Sequence, residues 1–415
     1  MITQLRIKMT MKNLVVAQSG GPTSAINASL AGVFAAALEN DKIQKVYGSK
    51  NGIVGILNDN LIDVTHCFEN NDDLNLLKIT PAMALGSCRF KLPDFKKDDS
   101  VYFDILNTLK KYNIGYFIYI GGNDSMDTTD KLSKFFLSQG EDIKVIGVPK
   151  TIDNDLDITD HCPGFGSAAK FVSTTLCEIV ADCSIYDLNA VTIVEIMGRN
   201  AGWLTAAAAL AKNHTNFAPQ LIYMPEVVFD TDKFIEDVRE AVAKYKTVII
   251  AVSEGVKTAD GKYVSELASA CKEDNFGHKY SAGAAKYLET LVSEKIGCKV
   301  RAIELNLPQR CAGHICSKAD IDSSFEIGKS AVATALKGET AKMMAFKRLS
   351  NTPYTYDIIT CDVKDVANEE KLFPREWINE EGNDILPQAL DYLYPLIQGE
   401  IISPTENGLP VHFKF

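Results

Sequence analysis

Several features are scarce or missing in this sequence of 415 residues, and each absence excludes a class of protein. No uninterrupted apolar run approaches the roughly 20 residues that a membrane-spanning helix needs. Basic residues are outnumbered by acidic ones, 43 to 54, and the net charge of −11 argues against a broad nucleic-acid-binding surface. We therefore expect neither a membrane nor a nucleic acid as a partner.

Closely paired cysteines are also missing. The ten cysteines are scattered along the chain, and no two of them form a CxxC pair. The segment CAGHIC, which holds Cys311, His314 and Cys316, fits no zinc-ligand spacing that we recognise. We expect buried or partly buried free thiols, which are typical of a reducing cytoplasm.

The N-terminal segment lacks the continuous apolar stretch and the small-residue cleavage site of a signal peptide. The sequence thus predicts a cytoplasmic protein, and the NHT triplet at Asn213 carries no meaning as a glycosylation acceptor. The first strand is expected from about Asn13, so that Met9 and Met11 are candidate starts besides Met1.

Short apolar segments rich in β-branched residues alternate with segments of helical periodicity. Continuous apolar strands between helices are typical of parallel sheets that are covered on both faces. Apolar residues at helical spacing predict a helix between Ser24 and Asn40, directly after a strand and two glycines. We expect strands in seven segments, at residues 14–18, 116–122, 144–149, 190–198, 220–226, 247–255 and 299–306.

This alternation predicts an α/β protein. The chain is long enough for two domains with full cores, and we expect two Rossmann-like three-layer domains with mostly parallel sheets and an active site in the cleft between them. In such sheets ligands bind at the carboxyl ends of the strands. The residues from about Phe346 onward are less regular and carry clustered carboxylates, so we expect a solvated extension or a cap there.

Two loops that follow strands are rich in glycine. In QSGGPTSAIN, residues 18–27, two glycines precede a helix, where backbone N–H groups can face an anion. The same arrangement recurs in GGNDS, residues 121–125. A simpler interpretation stays open for each loop, because glycine pairs make tight turns and Asn123 or Asp124 can cap the following helix.

The loop PKTIDND, residues 149–155, gathers opposite charges. Lys150 and Thr151 precede two carboxylates, Asp153 and Asp155. An Asx turn accounts for the last two residues of the loop, but it does not account for a lysine and two acids at a place where ligands bind. A carboxylate in this position can take a proton from an attacking hydroxyl.

Four further segments carry an arginine or a glutamate. Arg199 in EIMGRNAGWL is suited to bidentate binding of a sugar phosphate, or to a structural ion pair. Glu226 in MPEVVFD can accept hydrogen bonds from sugar hydroxyls. Arg301 and Arg310 lie in VRAIELNLPQR, and Arg89 lies in LGSCRF. Taken singly, each of these has a structural role more often than a functional one.

Taken together and in this order, the motifs resemble those of the phosphofructokinase family. TIDND combined with MGR is specific, whereas GGxxS alone is not. The matching segments span about residues 13–335, and the C-terminal remainder resembles the longer, pyrophosphate-dependent branch. The matching segments are SGGPTSAIN, LGSCRF, GGNDS, PKTIDND, EIMGRNAGWL, MPE and VRAIELNLPQR.

The resemblance also implies which phosphoryl donor is used. ATP-dependent members usually have glycine at the positions of Asp124 and Lys150, so this pair resembles the pyrophosphate-dependent branch. The Asp124 carboxylate is then expected to take the space of an ATP α-phosphate. Two unit charges about 4 Å apart repel by roughly 4 kcal/mol at an effective dielectric near 20, which disfavours a third phosphate strongly. Lys150 would supply a compact cation to the transferred group.

The family's roles are carried over residue by residue. Asp153 is expected to accept the hydroxyl proton, while Thr151 and Asp155 position it and a Mg²⁺ ion. The remaining expected site residues are Gly21 and Arg89 for the donor, and Met197, Gly198, Arg199, Glu226, Arg301 and Arg310 for the sugar phosphate. The implied partners are pyrophosphate and fructose 6-phosphate, bound to a homodimer or a homotetramer.

The metal site departs from the family pattern. Asn123 stands where the family has a magnesium-binding aspartate, and an amide oxygen is a weaker Mg²⁺ ligand than a carboxylate. Asp124 or Asp155 is therefore expected to carry the metal, or a water molecule bridges to Asn123.

Other departures concern sugar recognition and regulation. Leu307 replaces a histidine of many relatives, and Ala190 stands at or near an arginine that is donated across a subunit interface in the ATP enzymes. Ala31 and Ala35 replace effector-binding arginines of the bacterial allosteric enzymes. We expect no control of that type by ADP or phosphoenolpyruvate.

The expected function is reversible, non-allosteric phosphoryl transfer from pyrophosphate to fructose 6-phosphate, with sedoheptulose 7-phosphate open as another acceptor. Residues 1–160 with about 309–345 are expected to bind the donor, residues 161–308 the sugar phosphate, and residues 346–415 to pack on both as an extension. The alternatives are an ATP-dependent 6-phosphofructokinase, a catalytically silent regulatory subunit and, remotely, a protein like the diacylglycerol or NAD kinases.

Overall fold

Strands and helices alternate along most of the chain, and the computed structural model describes residues 11–68, 71–185, 187–212, 217–269 and 283–415. Asn213 and Cys271 lie outside these ranges. The strands are β1 (Lys12–Gln18), β2 (Ile43–Ser49), β3 (Leu61–Asp63), β4 (Ile114–Gly121), β5 (Lys144–Pro149), β6 (Ala190–Ile196), β7 (Leu221–Tyr223), β8 (Thr247–Ser253), β9 (Lys299–Glu304), β10 (Lys342–Asn351), β11 (Tyr354–Asp362), β12 (Thr405–Glu406) and β13 (Leu409–Pro410). The α-helices are α1 (Ile26–Leu38), α2 (Gly52–Leu57), α3 (Asn71–Ile79), α4 (Ser100–Lys111), α5 (Asn123–Ser138), α6 (Phe165–Cys183), α7 (Trp203–Ala206), α8 (Thr231–Tyr245), α9 (Val264–Ser269), α10 (Ala284–Ile296), α11 (Lys318–Leu336) and α12 (Pro387–Leu393).

The larger sheet has seven strands in the order β11-β10-β5-β4-β1-β2-β3. Its central strands run parallel, while β3 and β11 at the edges are antiparallel to their neighbours. Leu14 and Val16 of β1 pack on the side of α1 and α11, whereas Val15 and Ala17 pack on the side of α2, α4 and α5. Because both faces are covered, the central strands are continuously apolar.

The smaller sheet has four strands in the order β7-β8-β6-β9, and all of them are parallel. Val191 and Ile193 of β6 pack on the side of α8 and α10, whereas Val194 and Ile196 pack on the side of α6. The predicted α/β class with two parallel-rich, three-layer units is therefore confirmed. The larger sheet draws its strands from residues 12–149 and 342–362, and the smaller sheet from residues 190–304; the assignment of donor and sugar phosphate to separate domains stays a prediction.

The predicted strands are all present, with one of them much shortened. The segment expected at 220–226 forms strand only at Leu221–Tyr223, because Pro225 has no N–H to donate to a ladder. The helix expected between Ser24 and Asn40 is α1, in which Ile26, Leu30, Val33 and Phe34 are fully buried.

The residues from Phe346 onward are not a solvated extension. β10 and β11 form an antiparallel hairpin that joins the larger sheet beside β5. Further along, Phe373, Leu393 and Leu396 are at most 2% exposed and lie in the core that covers the smaller sheet. Apolar residues in this region are spread between carboxylates and serve two separate cores, so no single periodicity reveals them.

The cysteines within the described residues are free thiols, as expected. Cys316 is buried, but Cys67, Cys177 and Cys311 are exposed, so that the expectation of burial is wrong for these three. Among the described helices, we find none with both the length and the apolar character that a bilayer crossing requires.

Candidate active site

Three neighbouring strands of the larger sheet end at the same edge. The register places Gln18 of β1 beside Ile120 of β4, and Gly121 of β4 beside Pro149 of β5. The loops that follow these strands therefore lie side by side. Together with residues 88–91 they line a cavity of about 810 Å³.

The loop after β1 brings backbone close to a lysine. Gly20 has a φ of 82°, in the left-handed region that favours glycine, and a Cβ there would lie 3.1 Å from Lys150 Nζ. The helix α1 begins only at Ile26, and the Thr23 hydroxyl accepts hydrogen bonds from the N–H groups of Ala25 and Ile26. These two donors are therefore occupied by a side chain of the same loop.

Lys150 lies at the floor of the cavity and is 3% exposed. Its ammonium donates a hydrogen bond to the carbonyl oxygen of Gly21 at 2.7 Å. Burial lowers the pKa of Lys150 to about 8, although the neighbouring carboxylates of Asp153 and Asp155 oppose that shift. The side chain therefore keeps its positive charge at neutral pH.

The TIDND loop is shaped by its asparagine. Asn154 has a φ of 55°, which short polar side chains tolerate, and it is fully buried. Its Nδ2 donates to the hydroxyl of Tyr392 at 2.9 Å, and its Oδ1 accepts from the N–H of Cys162 at 2.9 Å. The Asx-turn interpretation is therefore wrong for Asn154, because its side-chain oxygen bonds to Cys162 and not to an N–H two residues further on. The flanking carboxylates of Asp153 and Asp155 lie near Lys150.

The two carboxylates have raised pKa values. Burial raises the pKa of Asp153 to about 7, with further contributions from Asp155 and Glu254, while Lys150 and Arg310 act in the opposite direction. Burial also raises the pKa of Asp155. A carboxylate with a pKa near 7 is matched to proton transfer at neutral pH.

Asn123 and Asp124 begin α5, but neither caps it. Gly122 is the N-cap residue and no side chain bonds to the first turn there, so the capping interpretation is wrong. The Asp124 side chain is exposed and lines the cavity with Ser125 and Thr128. The Asn123 amide, in contrast, is bonded to backbone of the C-terminal region.

The loop after β6 carries Met197, Gly198 and Arg199. Gln309 Oε1 accepts a hydrogen bond from the N–H of Met197 at 3.1 Å, and the Ser253 hydroxyl donates to the carbonyl oxygen of Gly198 at 2.7 Å. These two buried side chains fix the turn at the carboxyl end of the smaller sheet. The Arg199 side chain is exposed there.

Two buried polar atoms near these loops lack partners. Glu226 Oε1 accepts from the N–H groups of Gly202 and Phe373 at 2.8 and 2.9 Å. Within the described part of the chain, Glu226 Oε2 and Arg310 Nε are buried and have no hydrogen-bond partner. Buried polar groups are nearly always bonded, so these two atoms point to a polar ligand.

The remaining predicted arginines lie in different places. Arg89 is exposed and lines the cavity. Arg310 NH1 lies 3.3 Å from the position of a Cβ on Gly21, so this arginine reaches the loop after β1. Arg301 pairs with Thr192 in the ladder, four residues before the end of β6. At ~3.3 Å per residue this is about 13 Å from the strand end, and Arg301 instead faces Asp182 at 3.8 Å.

Several residues of the site were not predicted from the sequence, and three of them are polar residues from distant segments. Asn368 and Glu370 line the cavity, and Glu254 is close enough to raise the pKa of Asp153. The carboxylates of the NEEK segment, residues 368–371, are evident in the sequence. Nothing in that pattern indicates that the segment lies beside the loops that follow β1, β4 and β5. Glu254 follows β8 directly, so the tendency of ligands to bind at the carboxyl ends of parallel strands was sufficient to predict it.

Acidic side chains are the available metal ligands in the cavity. Asp124, Asp155 and Glu370 all line it, and carboxylate oxygens are ligands that Mg²⁺ prefers. Within the described ranges, no group of three or more His, Cys, Asp or Glu residues is arranged to hold a metal by itself. This donor set fits an ion that takes one or two carboxylates and completes its shell with water and substrate oxygens.

The fold and the cavity define an α/β protein with a charged binding site at the strand ends. The Phosphofructokinase family model matches residues 13–333, and the chain belongs to that family. A pyrophosphate–fructose 6-phosphate 1-phosphotransferase of Halomonas elongata is 42% identical over 405 residues, which cover 97% of this chain and 96% of the relative. The relative of the same name in Methylococcus capsulatus is 39% identical, and the match covers 97% of this chain and 95% of the relative.

A solved structure gives the same result. The crystal structure of a pyrophosphate-dependent phosphofructokinase from Nitrosospira multiformis superposes with a TM-score of 0.87 at 38% identity. The match covers 97% of this chain and 95% of that chain. The likeness therefore extends through the C-terminal region, beyond the segment that the family model matches.

Proposed function

We propose that the protein transfers a phosphoryl group reversibly from pyrophosphate to the 1-hydroxyl of fructose 6-phosphate, giving fructose 1,6-bisphosphate and phosphate. The observation that carries this proposal is that Lys150 and Asp124 line one cavity, with the Asp153 carboxylate close to Lys150. The names of relatives that match nearly the whole chain support the same reaction. The reaction belongs to glycolysis and, in reverse, to gluconeogenesis.

In the proposed mechanism, Asp153 accepts the proton of the attacking hydroxyl. Thr151 supports this role, since its hydroxyl oxygen accepts a hydrogen bond from the N–H of Asp153 at 3.1 Å and so holds the turn. Lys150 and Arg89 stabilise the negative charge of the donor beside Gly21. Alignment and charge stabilisation account for most of the catalysis in phosphoryl transfer.

The donor is proposed to be pyrophosphate because Asp124 lies within the donor cavity. Its carboxylate sits in the first turn of α5, and a polyphosphate bound beside Gly21 and Lys150 approaches it. Repulsion grows with each added phosphate. A donor with two phosphorus atoms avoids most of this cost, whereas a nucleoside triphosphate does not.

The acceptor is proposed to bind between the two sheets. Arg199, Glu226 and Arg310 would hold the sugar phosphate and its hydroxyls, and Met197 and Gly198 would shape that part of the site. The unpartnered atoms of Glu226 and Arg310 support this assignment. Arg310 also lowers the pKa of Asp153, so it connects the sugar side of the site with the reacting hydroxyl.

We propose Mg²⁺ as the cofactor, with Asp155 as its principal protein ligand. When bound, the ion neutralises charge on the transferred phosphoryl group. Asn123, the other proposed ligand, already uses Oδ1 to accept a hydrogen bond from the N–H of Asn368 at 2.6 Å, so its contribution would be limited to the remaining lone pair or to a bridging water.

We propose a cytoplasmic homodimer or homotetramer. Arg301 supports an oligomer, because it lies on the edge strand β9 about 10 Å before the strand end (roughly 3.3 Å per residue) and its side chain is directed towards Asp182. It would act on the sugar phosphate of a neighbouring subunit.

The test compares initial rates with pyrophosphate and with ATP, each with fructose 6-phosphate and Mg²⁺. Faster turnover with ATP would assign the protein to the ATP-dependent enzymes, and no turnover with either would indicate a silent regulatory subunit. Asp153→Ser should then lower the rate by ~10²–10⁴-fold. Asp157→Ser, which removes an exposed carboxylate from the same loop, is the matched control and should retain full activity.

A further inference from the structure

One wall of the donor cavity comes from the C-terminal region. Asn368 and Glu370 line it together with Asp124, Lys150 and Asp155. This wall is contributed by a stretch of backbone without helix or strand, residues 368–371. Its position must therefore be fixed by contacts to other parts of the chain.

The first fixed point is Asn123. Its Nδ2 donates to the carbonyl oxygen of Glu369 at 2.6 Å, and its Oδ1 accepts from the N–H of Asn368 at 2.6 Å. An amide side chain pairs in this way with a donor and an acceptor of the main chain at once. A carboxylate has no proton to donate, so an aspartate at position 123 would repel the carbonyl oxygen of Glu369. The asparagine thus acts as a clamp.

Further contacts fix the segment on its other side. Lys371 donates its N–H to the carbonyl oxygen of Asp155 at 2.8 Å, and its carbonyl oxygen accepts from Trp203 Nε1 at 2.8 Å. The Lys371 ammonium donates to the carbonyl oxygens of Thr159 and Asp160, both at 2.9 Å. The segment is therefore attached to loops of both sheets.

Glu370 faces the cavity in a set position. Its Oε1 accepts a hydrogen bond from Asn200 Nδ2 at 2.8 Å, next to Arg199. Glu370 is therefore a third carboxylate in the cavity lining, besides Asp124 and Asp155, and its charge repels a long polyanion bound there.

We propose that residues 368–371 form a fixed wall of the donor cavity and that Glu370 is a specificity-determining residue, which disfavours donors longer than two phosphates. This inference rests on the proposed function, because it assigns the cavity to the donor. It also explains the asparagine at position 123, which holds the wall in place.

Linear tripolyphosphate is the suitable probe, since it adds one phosphate without adding a nucleoside. Calorimetric affinities of the full-length protein for pyrophosphate and tripolyphosphate at one free Mg²⁺ concentration give a selectivity ratio that does not depend on sugar turnover. Glu370→Gln should reduce the preference for pyrophosphate by about tenfold. Glu376→Gln, which removes an equal charge from an exposed position of the same region, should leave the ratio unchanged.

The outcomes separate this inference from the proposed function. Suppose that the wild-type enzyme uses pyrophosphate and fructose 6-phosphate, but Glu370→Gln keeps the wild-type ratio of pyrophosphate to tripolyphosphate affinity. The role of Glu370 in donor selectivity would then be refuted, while the proposed function would be supported. A higher Mg²⁺ requirement in Glu370→Gln without a change in ratio would assign Glu370 to the metal and likewise overturn the inference. If the wild type does not turn over pyrophosphate, the function fails, and the binding ratio still tests the wall.

A second variant tests the clamp. Asn123→Ala removes both hydrogen bonds without adding charge and should release the segment, so that hydrogen exchange at the amides of residues 366–371 becomes at least about tenfold faster while the thermal midpoint changes little. The selectivity ratio should fall as in Glu370→Gln. Unchanged exchange together with an unchanged ratio would contradict a wall held by Asn123.

Discussion

The Lys150 ammonium lies 2.7 Å from the carbonyl oxygen of Gly21 and donates a hydrogen bond to it. This contact joins the loop after β5 to the loop after β1. A side chain at position 20 would crowd it, because a Cβ on Gly20 would lie 3.1 Å from Lys150 Nζ. The lysine therefore both carries charge and holds the shape of the cavity. The two roles have different experimental signatures.

Lys150→Met should lower kcat with pyrophosphate by ~10²–10³-fold, because a charge aimed at the transferred group is lost. The KM for fructose 6-phosphate should stay within about twofold, since the sugar is held by other residues. Steady-state kinetics measures both. Lys144→Met, at the start of the strand that precedes Lys150 and ion-paired to Asp142, is the control; an unchanged kcat in Lys150→Met would refute the catalytic role.

Replacement of Asp124 separates charge from size. Asp124→Asn keeps the volume and removes the charge, and it should strengthen ATP binding at least tenfold if repulsion is the cause of exclusion. Asp124→Gly should strengthen it further by making space. Turnover of ATP should stay slow in both, since Lys150 and the surrounding wall remain. Equal ATP affinity in the wild type and both variants would show that Asp124 does not select the donor.

Gly255 should be intolerant of a side chain. A Cβ there would lie 1.9 Å from the carbonyl oxygen of Arg199, so Gly255→Ala must displace the loop that carries this arginine. We expect the KM for fructose 6-phosphate to rise at least tenfold and the free energy of unfolding to fall by about 1–3 kcal/mol. Gly261→Ala, where a Cβ meets open space in a strained turn, should lose stability only. An unchanged KM for fructose 6-phosphate in Gly255→Ala would indicate that Arg199 does not contribute to sugar binding.

An ion pair behind the site should make stability depend on pH. Arg348 Nε and NH2 donate to the Asp160 carboxylate at 3.0 to 3.1 Å, and both side chains are mostly buried. Burial alone would raise the pKa of Asp160, but hydrogen bonds from His161 and Arg348 outweigh it and lower the pKa to about 2. The stabilisation is therefore present above the ordinary pKa near 3.8 and is lost as pH falls through about 2.

Arg348→Met should accordingly lower the free energy of unfolding by about 3 kcal/mol at pH 7. The difference from the wild type should shrink as the pH falls below about 3, because Asp160 becomes protonated. Denaturant unfolding at a series of pH values measures this. Lys347→Met, at the exposed neighbouring position, should show no such dependence. A difference between Arg348→Met and the wild type that is as large at pH 2 as at pH 7 would contradict the assignment to Asp160.

The sequence predicted those parts of the molecule that depend on local pattern. β1, β4, β5 and β6 are buried on both faces and so appear as continuous apolar runs. β11, in contrast, begins with alternating partly buried and exposed residues at a sheet edge. Because it contains many polar residues, the sequence pattern did not predict it as a strand. The cluster around Asp153 was predictable because its members are contiguous and follow a strand.

The contacts that were missed depend on register or on the main chain. Arg301 belongs to a matching motif, but the ladder pairs it with Thr192, four residues before the end of β6, and a sequence motif does not show this register. The wall at residues 368–371 is held largely through backbone groups, and these have no side-chain signature in a sequence. Asn123 and Glu369 are 246 positions apart, so their pairing was not predictable from one chain.

The C-terminal region has a consequence for synthesis. Phe346 completes the core over the larger sheet, and Leu393 completes the core over the smaller one. At the ribosome's pace of roughly 5–20 residues per second, residues 346–415 take several seconds to be synthesised. Neither half of the nascent chain can reach its final packing before these residues are available, so both expose apolar surface during that interval and are open to chaperone binding.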